Sequence, residues 1–151
     1  MSVTWIVRDF AELTSLELYK ILQLRITVFM LEQECLYEEC DNKDLEGKHL
    51  MGILEDNVVA YARLLPPGIS YADASIGRVV VSPNARHLKL GTTLMQNAIS
   101  TMREDFPTEA IRISAQAHLQ GFYENVGFVR VSRETYLEDN IPHVEMVLEK
   151  E

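Results

Sequence analysis

Three consecutive β-branched residues, Val79-Val80-Val81, run into Ser82-Pro83-Asn84 and then into a helical pattern over residues 88–103. An all-apolar run of this kind suits a strand covered on both faces, so the chain must build a sheet with helices packed against it. The remaining residues supply that sheet. Strands are predicted over residues 3–7, 49–54, 58–65, 76–82, 110–115, 128–131 and 143–148. The second and third are joined by the tight turn Glu55-Asp56-Asn57, and Pro66-Pro67-Gly68 ends the third. A first helix opens at Thr14-x-x-Glu17, a capping box in which each side chain satisfies a free backbone amide of the other residue. Leu18, Ile21, Leu22, Val28 and Phe29 follow at helical spacing as its apolar face, and a short helix over 118–126 stops at Gly127. The order predicts one α+β domain spanning residues 1–151, a length that buries a single core without disulfides or metal.

Charge narrows the function classes. Asp and Glu outnumber Lys and Arg by 23 to 14, so the surface field repels phosphate backbones and anionic membranes and concentrates cationic small molecules. Nucleic acid and membrane are therefore not expected as partners. The start has no basic or apolar leader pattern and no run approaches a membrane span, which points to the cytoplasm. Residues 32–46 hold seven of the acids (Glu32, Glu34, Glu38, Glu39, Asp41, Asp44, Glu46) against Lys43 alone, a local net of −6. Asp41-x-x-Asp44 lacks the ligand alternation of a calcium loop, and Cys35 and Cys40 have no second pair at zinc-ligand spacing, so no metal is expected. Arg25 lies on the apolar stripe of the first helix, where a guanidinium must either be paired internally or look into a polar cleft and touch substrate.

The turn from Val81 into the helix carries the strongest chemical signal. A helix N-terminus presents free N–H groups and partial positive charge, and so accepts a phosphate. Arg86 or Lys89 can add charge-assisted hydrogen bonds, and Gly91 removes a side chain where backbone must approach a ligand or the sheet. Leu88, Leu94, Met95, Ala98 and Met102 read as the core face of this helix. The segment resembles the acyl-CoA loop of the GNAT superfamily, Arg/Gln-x-x-Gly-x-Gly/Ala, with Arg86 and Gly91 in its first and last positions and Lys89 where the family usually has its first glycine. Downstream, Phe122-Tyr123-Glu124-Asn125-Val126-Gly127-Phe128 is similar to the family's Phe-Tyr-x-x-x-Gly-Phe. Two motifs in order, one helix and one strand apart, are more specific than either alone. Leu22-Gln23-Leu24-Arg25, Glu32-Gln33 and Ile141-Pro142-His143 extend the resemblance to the ElaA-like subgroup.

The resemblance implies a mixed, mostly antiparallel central sheet flanked by helices, acetyl-CoA as acyl donor, and direct transfer to an amine in a ternary complex. The cofactor would lie on Val79, Val80, Val81, Arg86, His87, Leu88, Lys89, Leu90, Gly91, Thr92, Gln116, Phe122 and Tyr123. Backbone N–H groups at Val79 or Val81 would stabilise the developing oxyanion. Tyr123 would be the general acid, its ordinary pKa of about 10 near that of the departing thiol. For the general base His143 ranks first, then Glu32 and His49, with a water chain as the alternative. Arg25, Glu32, His49 and His143 form the expected acceptor site. The acidic residues Glu32, Glu34, Glu38 and Glu39 favour a small-molecule or peptide amine over an acid, and a homodimer is common in the family. The rival readings are a CoA-binding sensor without catalysis and a lactone-forming acyltransferase, the latter disfavoured by the absence of a basic patch for an acidic carrier.

Overall fold

The structure, a computed structural model, describes residues 2–151. Strands β1 (Thr4–Asp9), β2 (Lys48–Leu54), β3 (Asn57–Leu65) and β4 (Ala74–Val81) pair antiparallel in that order. Strands β5 (Ile111–Gln116), β6 (Val129–Arg130), β7 (Tyr136–Glu138) and β8 (Ile141–Leu148) complete one mixed sheet, in which β8 lies between β5 on one side and β6 and β7 on the other. The two halves meet at β4 and β5, which run parallel.

Helix α1 (Ser15–Arg25) covers one face of the sheet, and α2 (Gly91–Asp105) and α3 (Gln120–Asn125) the other. The capping box is present at α1, with the Glu17 amide donating to Thr14 Oγ1 at 3.0 Å and the Thr14 amide to Glu17 Oε1 at 2.9 Å. Ile21, Leu24 and Val28 pack on Met51, Tyr61 and Val80. On the far face Leu94, Met95, Ala98 and Met102 are sealed against Ala60, Ala62, Ile76, Ile111 and Ile113. Burying a side chain of the Leu or Met class contributes roughly 1.5–3 kcal/mol, so this one stripe anchors α2. The run Val79-Val80-Val81 is covered on both faces as expected, Val80 by the α1 core and Val79 and Val81 by the α2 core.

Three elements depart from the sequence reading. Pro83 opens a 3-10 turn, Pro83–Leu88, which Lys89 ends in the left-handed conformation (φ 55°, ψ 46°), so α2 begins at Gly91 and Leu88 is 40% exposed instead of joining its core face. Beyond Arg25 the first helix widens into a π-helix, Ile26–Glu32, with the Gln33 amide reaching Val28 O and the Cys35 amide Met30 O, each five residues back. The short strand β7 and its two-residue turn, Asp139-Asn140 with both φ positive, were not anticipated.

Candidate functional site

Strands β4 and β5 pair only at Ala74 with Ile111 and Ser75 with Arg112. Past those residues a cleft of about 120 Å³ lies between them, walled by Gly77, Arg78 and Val79 of β4 and Ile113, Ser114 and Gln116 of β5. A bulge in β4 shapes this wall. The β3 register steps from Arg63 opposite Gly77 to Tyr61 opposite Val80, so β4 carries one extra residue, and Arg78 there has φ 49°. Such an insertion bends the strand and exchanges the faces of all that follows. Val79 consequently borders the cleft and packs toward α2.

The expected acid and base meet in this cleft. Tyr123 enters from α3, 7% exposed, wedged edge-on between the rings of Phe122 and Phe128. Burial alone pushes its phenol up to about 12, above the ordinary value assumed from sequence. His143 enters from β8, also 7% exposed, with Tyr136 stacked on its ring. Its Nδ1 lies 2.7 Å from Ile141 O, so that nitrogen carries the proton of the neutral ring, while Nε2 faces Glu138 Oε2 at 3.4 Å. Gln116 lines the same cleft and donates to Gln33 Oε1 at 3.3 Å.

Beside the cleft, α2 begins without any side-chain cap on its N-terminal amides. Its first residue, Gly91, approaches neither the sheet nor a free space. A Cβ there would stand 3.3 Å from the Phe122 ring, so the glycine lets the two sequence motifs pack on each other. Thr92, His87, Leu88 and Lys89 are exposed around this helix end, and Leu90 is half-buried against the core. Arg86 is engaged by Glu32 in a two-point contact, Nη2 to Oε1 at 2.6 Å and Nη1 to Oε2 at 3.0 Å, both side chains being substantially exposed.

Several expected acceptor residues are elsewhere. Arg25 is fully buried, with its guanidinium bonded to Glu39 and, at 2.8 Å, to Asp44 Oδ1, above the Tyr61 ring. It cannot touch an acceptor, and internal pairing is what places a charge on that apolar stripe. His49 is likewise fully buried, its Nδ1 2.6 Å from the Tyr61 hydroxyl and its Nε2 2.9 Å from Asp44 O. Both nitrogens are occupied, and burial, with the positive Arg25 and Arg63 nearby, lowers its pKa. It is a core residue, not a base. Glu32 does not line the cleft, because the π-helix directs it to Arg86.

The acidic loop is also reassigned. Glu39, Asp41 and Asp44 neutralise Arg25, Arg63 and Arg78 in one network of ion pairs, which staples the loop to the sheet. Burial opposes ionisation of Asp41 and Asp44, but hydrogen bonds and charge from the arginines prevail and hold both carboxyls below their usual range. Glu34 and Glu38 are exposed and do not line the cleft, to which the loop contributes Cys35 and Tyr37. The carboxylates that do line the cleft, Glu138 and Asp139, come from the β7–β8 turn and were missed. Asp139-Asn140 before an apolar strand is the turn signal that would have found them. For the bulge at Arg78 the signal is Gly77, an isolated glycine inside a strand pattern.

The comparisons with known proteins agree with this geometry. The family model described as "Acetyltransferase (GNAT) domain" matches residues 19–150. Protein ElaA of Escherichia coli is 41% identical over 149 residues, 97% of each chain, and its crystal structure superposes with a TM-score of 0.91 at 40% identity, covering 97% of this chain and 99% of that one. The crystal structure of an acyl-CoA N-acyltransferase from Pseudomonas aeruginosa gives a TM-score of 0.91 at 44% identity with the same coverage. An aminoglycoside 6'-N-acetyltransferase solved in complex with coenzyme A shares the fold alone, at a TM-score of 0.68 and 16% identity over 94% of this chain and 95% of that one. The chain belongs to the GNAT acetyltransferase family, among the ElaA-like proteins.

Proposed function

We propose that the protein is an acetyl-CoA-dependent N-acetyltransferase that transfers the acetyl group directly to a primary amine, both substrates being bound at once. The observation that carries this reading is the convergence of Tyr123 and His143 on the cleft where β4 parts from β5, beside the uncapped N-terminus of α2. The free amides of that helix end fit a pyrophosphate, and Arg86 reaches it only by leaving Glu32. Contacts from Val79, Val80, Val81 and Gln116 to the donor, and from Phe122 through its packing on Gly91, complete this side.

His143, whose Nδ1 is committed to Ile141 O, offers the Nε2 lone pair to the incoming amine. Unpaired backbone N–H groups at Val79 or Val81 stabilise the charge that develops on the carbonyl oxygen. Tyr123 donates to the departing sulfur. Calorimetry with acetyl-CoA followed by a thiol-release assay across an amine panel tests the reading. Tight binding with thiol release only when an amine is present supports it. Binding without release from any amine selects the non-catalytic sensor, and equal affinity for ADP and CoA refutes acyl-donor recognition.

A further inference from the structure

The imidazole of His143 faces two acceptors. When the ring is neutral, Ile141 O at 2.7 Å takes its one proton at Nδ1, and the Nε2 lone pair then points at the Glu138 carboxylate 3.4 Å away. Two electron-rich groups at that separation repel unless a proton or a cation bridges them. Glu138 is held in this position from its other oxygen, Oε1, by Ser114 Oγ at 3.2 Å, and the Ser114 hydroxyl also meets the Tyr136 hydroxyl at 2.6 Å. The β7–β8 turn therefore sets the carboxylate at the mouth of the cleft beside a buried imidazole. The glutamate itself is half in solvent, at 51% side-chain exposure.

We infer that Glu138 receives the ammonium form of the acceptor, which gives its proton directly to His143, and that the acceptor is therefore a cationic primary amine. The inference rests on the acetyltransferase reading. An ammonium that donates one straight hydrogen bond of about 2.8 Å to each group holds them about 4.6 Å apart. Glu138 must then swing outward by about 1 Å, and its exposed place on a turn allows this. The ammonium first donates N–H bonds to Glu138 Oε2 and His143 Nε2. Its proton passes to Nε2, leaving a neutral amine whose lone pair forms the new C–N bond as the C–S bond breaks. The amine sheds a second proton as the amide forms, the thiolate takes up one, and His143 returns its proton to solvent past Glu138. An amine that is already neutral gains nothing from the carboxylate.

The test compares benzylamine, which keeps its proton at about pH 8 as alkylammonium groups do, with aniline, which is neutral there. In Glu138→Gln, relative to wild type, the expected result is a KM for benzylamine raised at least fivefold, about what one solvent-screened charge-assisted bond supplies. The KM values for aniline and acetyl-CoA should stay within about twofold, and Glu138→Asp should recover part of the loss. Equal change for both amines, or none for benzylamine, overturns the inference. Calorimetric titration of benzylamine in the presence of coenzyme A keeps the two ideas distinguishable. Binding that weakens at least fivefold in Glu138→Gln upholds the ammonium site even when no amine is acetylated, whereas unchanged binding overturns it whatever the activity.

Discussion

Removing a single hydroxyl, Tyr123→Phe, separates catalysis from packing in this cleft. The phenol is raised to about 12 by burial, with no hydrogen bond contributing, so its loss leaves no partner unsatisfied. A thiol has an ordinary pKa of about 8.5, which makes full transfer from this phenol to the departing sulfur uphill by roughly 5 kcal/mol. Its contribution is then a hydrogen bond to developing negative charge, worth about 1.5–3 kcal/mol, and kcat should fall roughly tenfold to a hundredfold. Thiol release at saturating acetyl-CoA measures kcat, calorimetry measures donor affinity, and a thermal melt measures the fold. Donor Kd should stay within about threefold and Tm within about 2 °C, since the ring keeps its packing against Phe122 and Phe128. Because the phenol ionises only far above neutral pH, any alkaline limb of the rate profile near pH 9 should persist in the variant. An unaltered kcat refutes the acid role and leaves Tyr123 as a core residue; a loss of donor affinity or of Tm in proportion to kcat does the same.

Two further predictions concern the buried polar groups. Arg25→Met should destabilise the fold by about 3 kcal/mol, the lower end for breaking a buried pair because Arg78 still faces Glu39 and Arg63 still faces Asp44, and a melt should show Tm lower by about 6–12 °C; a drop under about 3 °C rejects the network's role. His49 has a folded pKa below its unfolded value of about 6.5, so the unfolded chain binds the extra proton first, and its contribution to stability, complete above about pH 6.5, is lost as pH falls from there toward the folded value. Urea unfolding at about pH 7.5 and about pH 5.5 should show wild type losing up to about 1.4 kcal/mol more than His49→Asn, and equal losses reject that assignment.

What could be read from the chain depended on whether a residue's role was local. The Thr14 capping box, the valine run and the Phe122–Phe128 motif are short patterns whose physics is complete within a turn or two, and the structure contains each of them. The fate of the charges was not local. Arg25 and the acids near it are 14 and 19 residues apart, so nothing in their spacing announces that they neutralise one another and leave the cleft to other carboxylates. The same holds for Glu138, whose meaning comes from Ser114, 24 residues earlier, and from a three-residue strand too short to show alternation.

Lys89 illustrates how a departure from a motif can preserve its physics. The family's glycine at this place is useful because it accepts positive φ freely. Lys89 adopts that backbone without being glycine, at φ 55° and ψ 46°, with its amide donating to Arg86 O at 3.2 Å. A left-handed residue with a side chain costs roughly 1–2 kcal/mol, and such strain persists only where its surroundings over-determine it. Here they do, since Pro83 fixes the start of the turn and the Gly91–Phe122 contact fixes its end. Arg78 is a second case, on the cleft wall, where φ 49° is held by ion pairs to Glu39 and Asp41 and by the Tyr37 ring. The two strained residues bracket the end of β4 and the turn that leads into α2. Glycine reaches the bent path of that backbone through its conformational freedom, and a residue with a side chain reaches it where the turn is fixed at both ends.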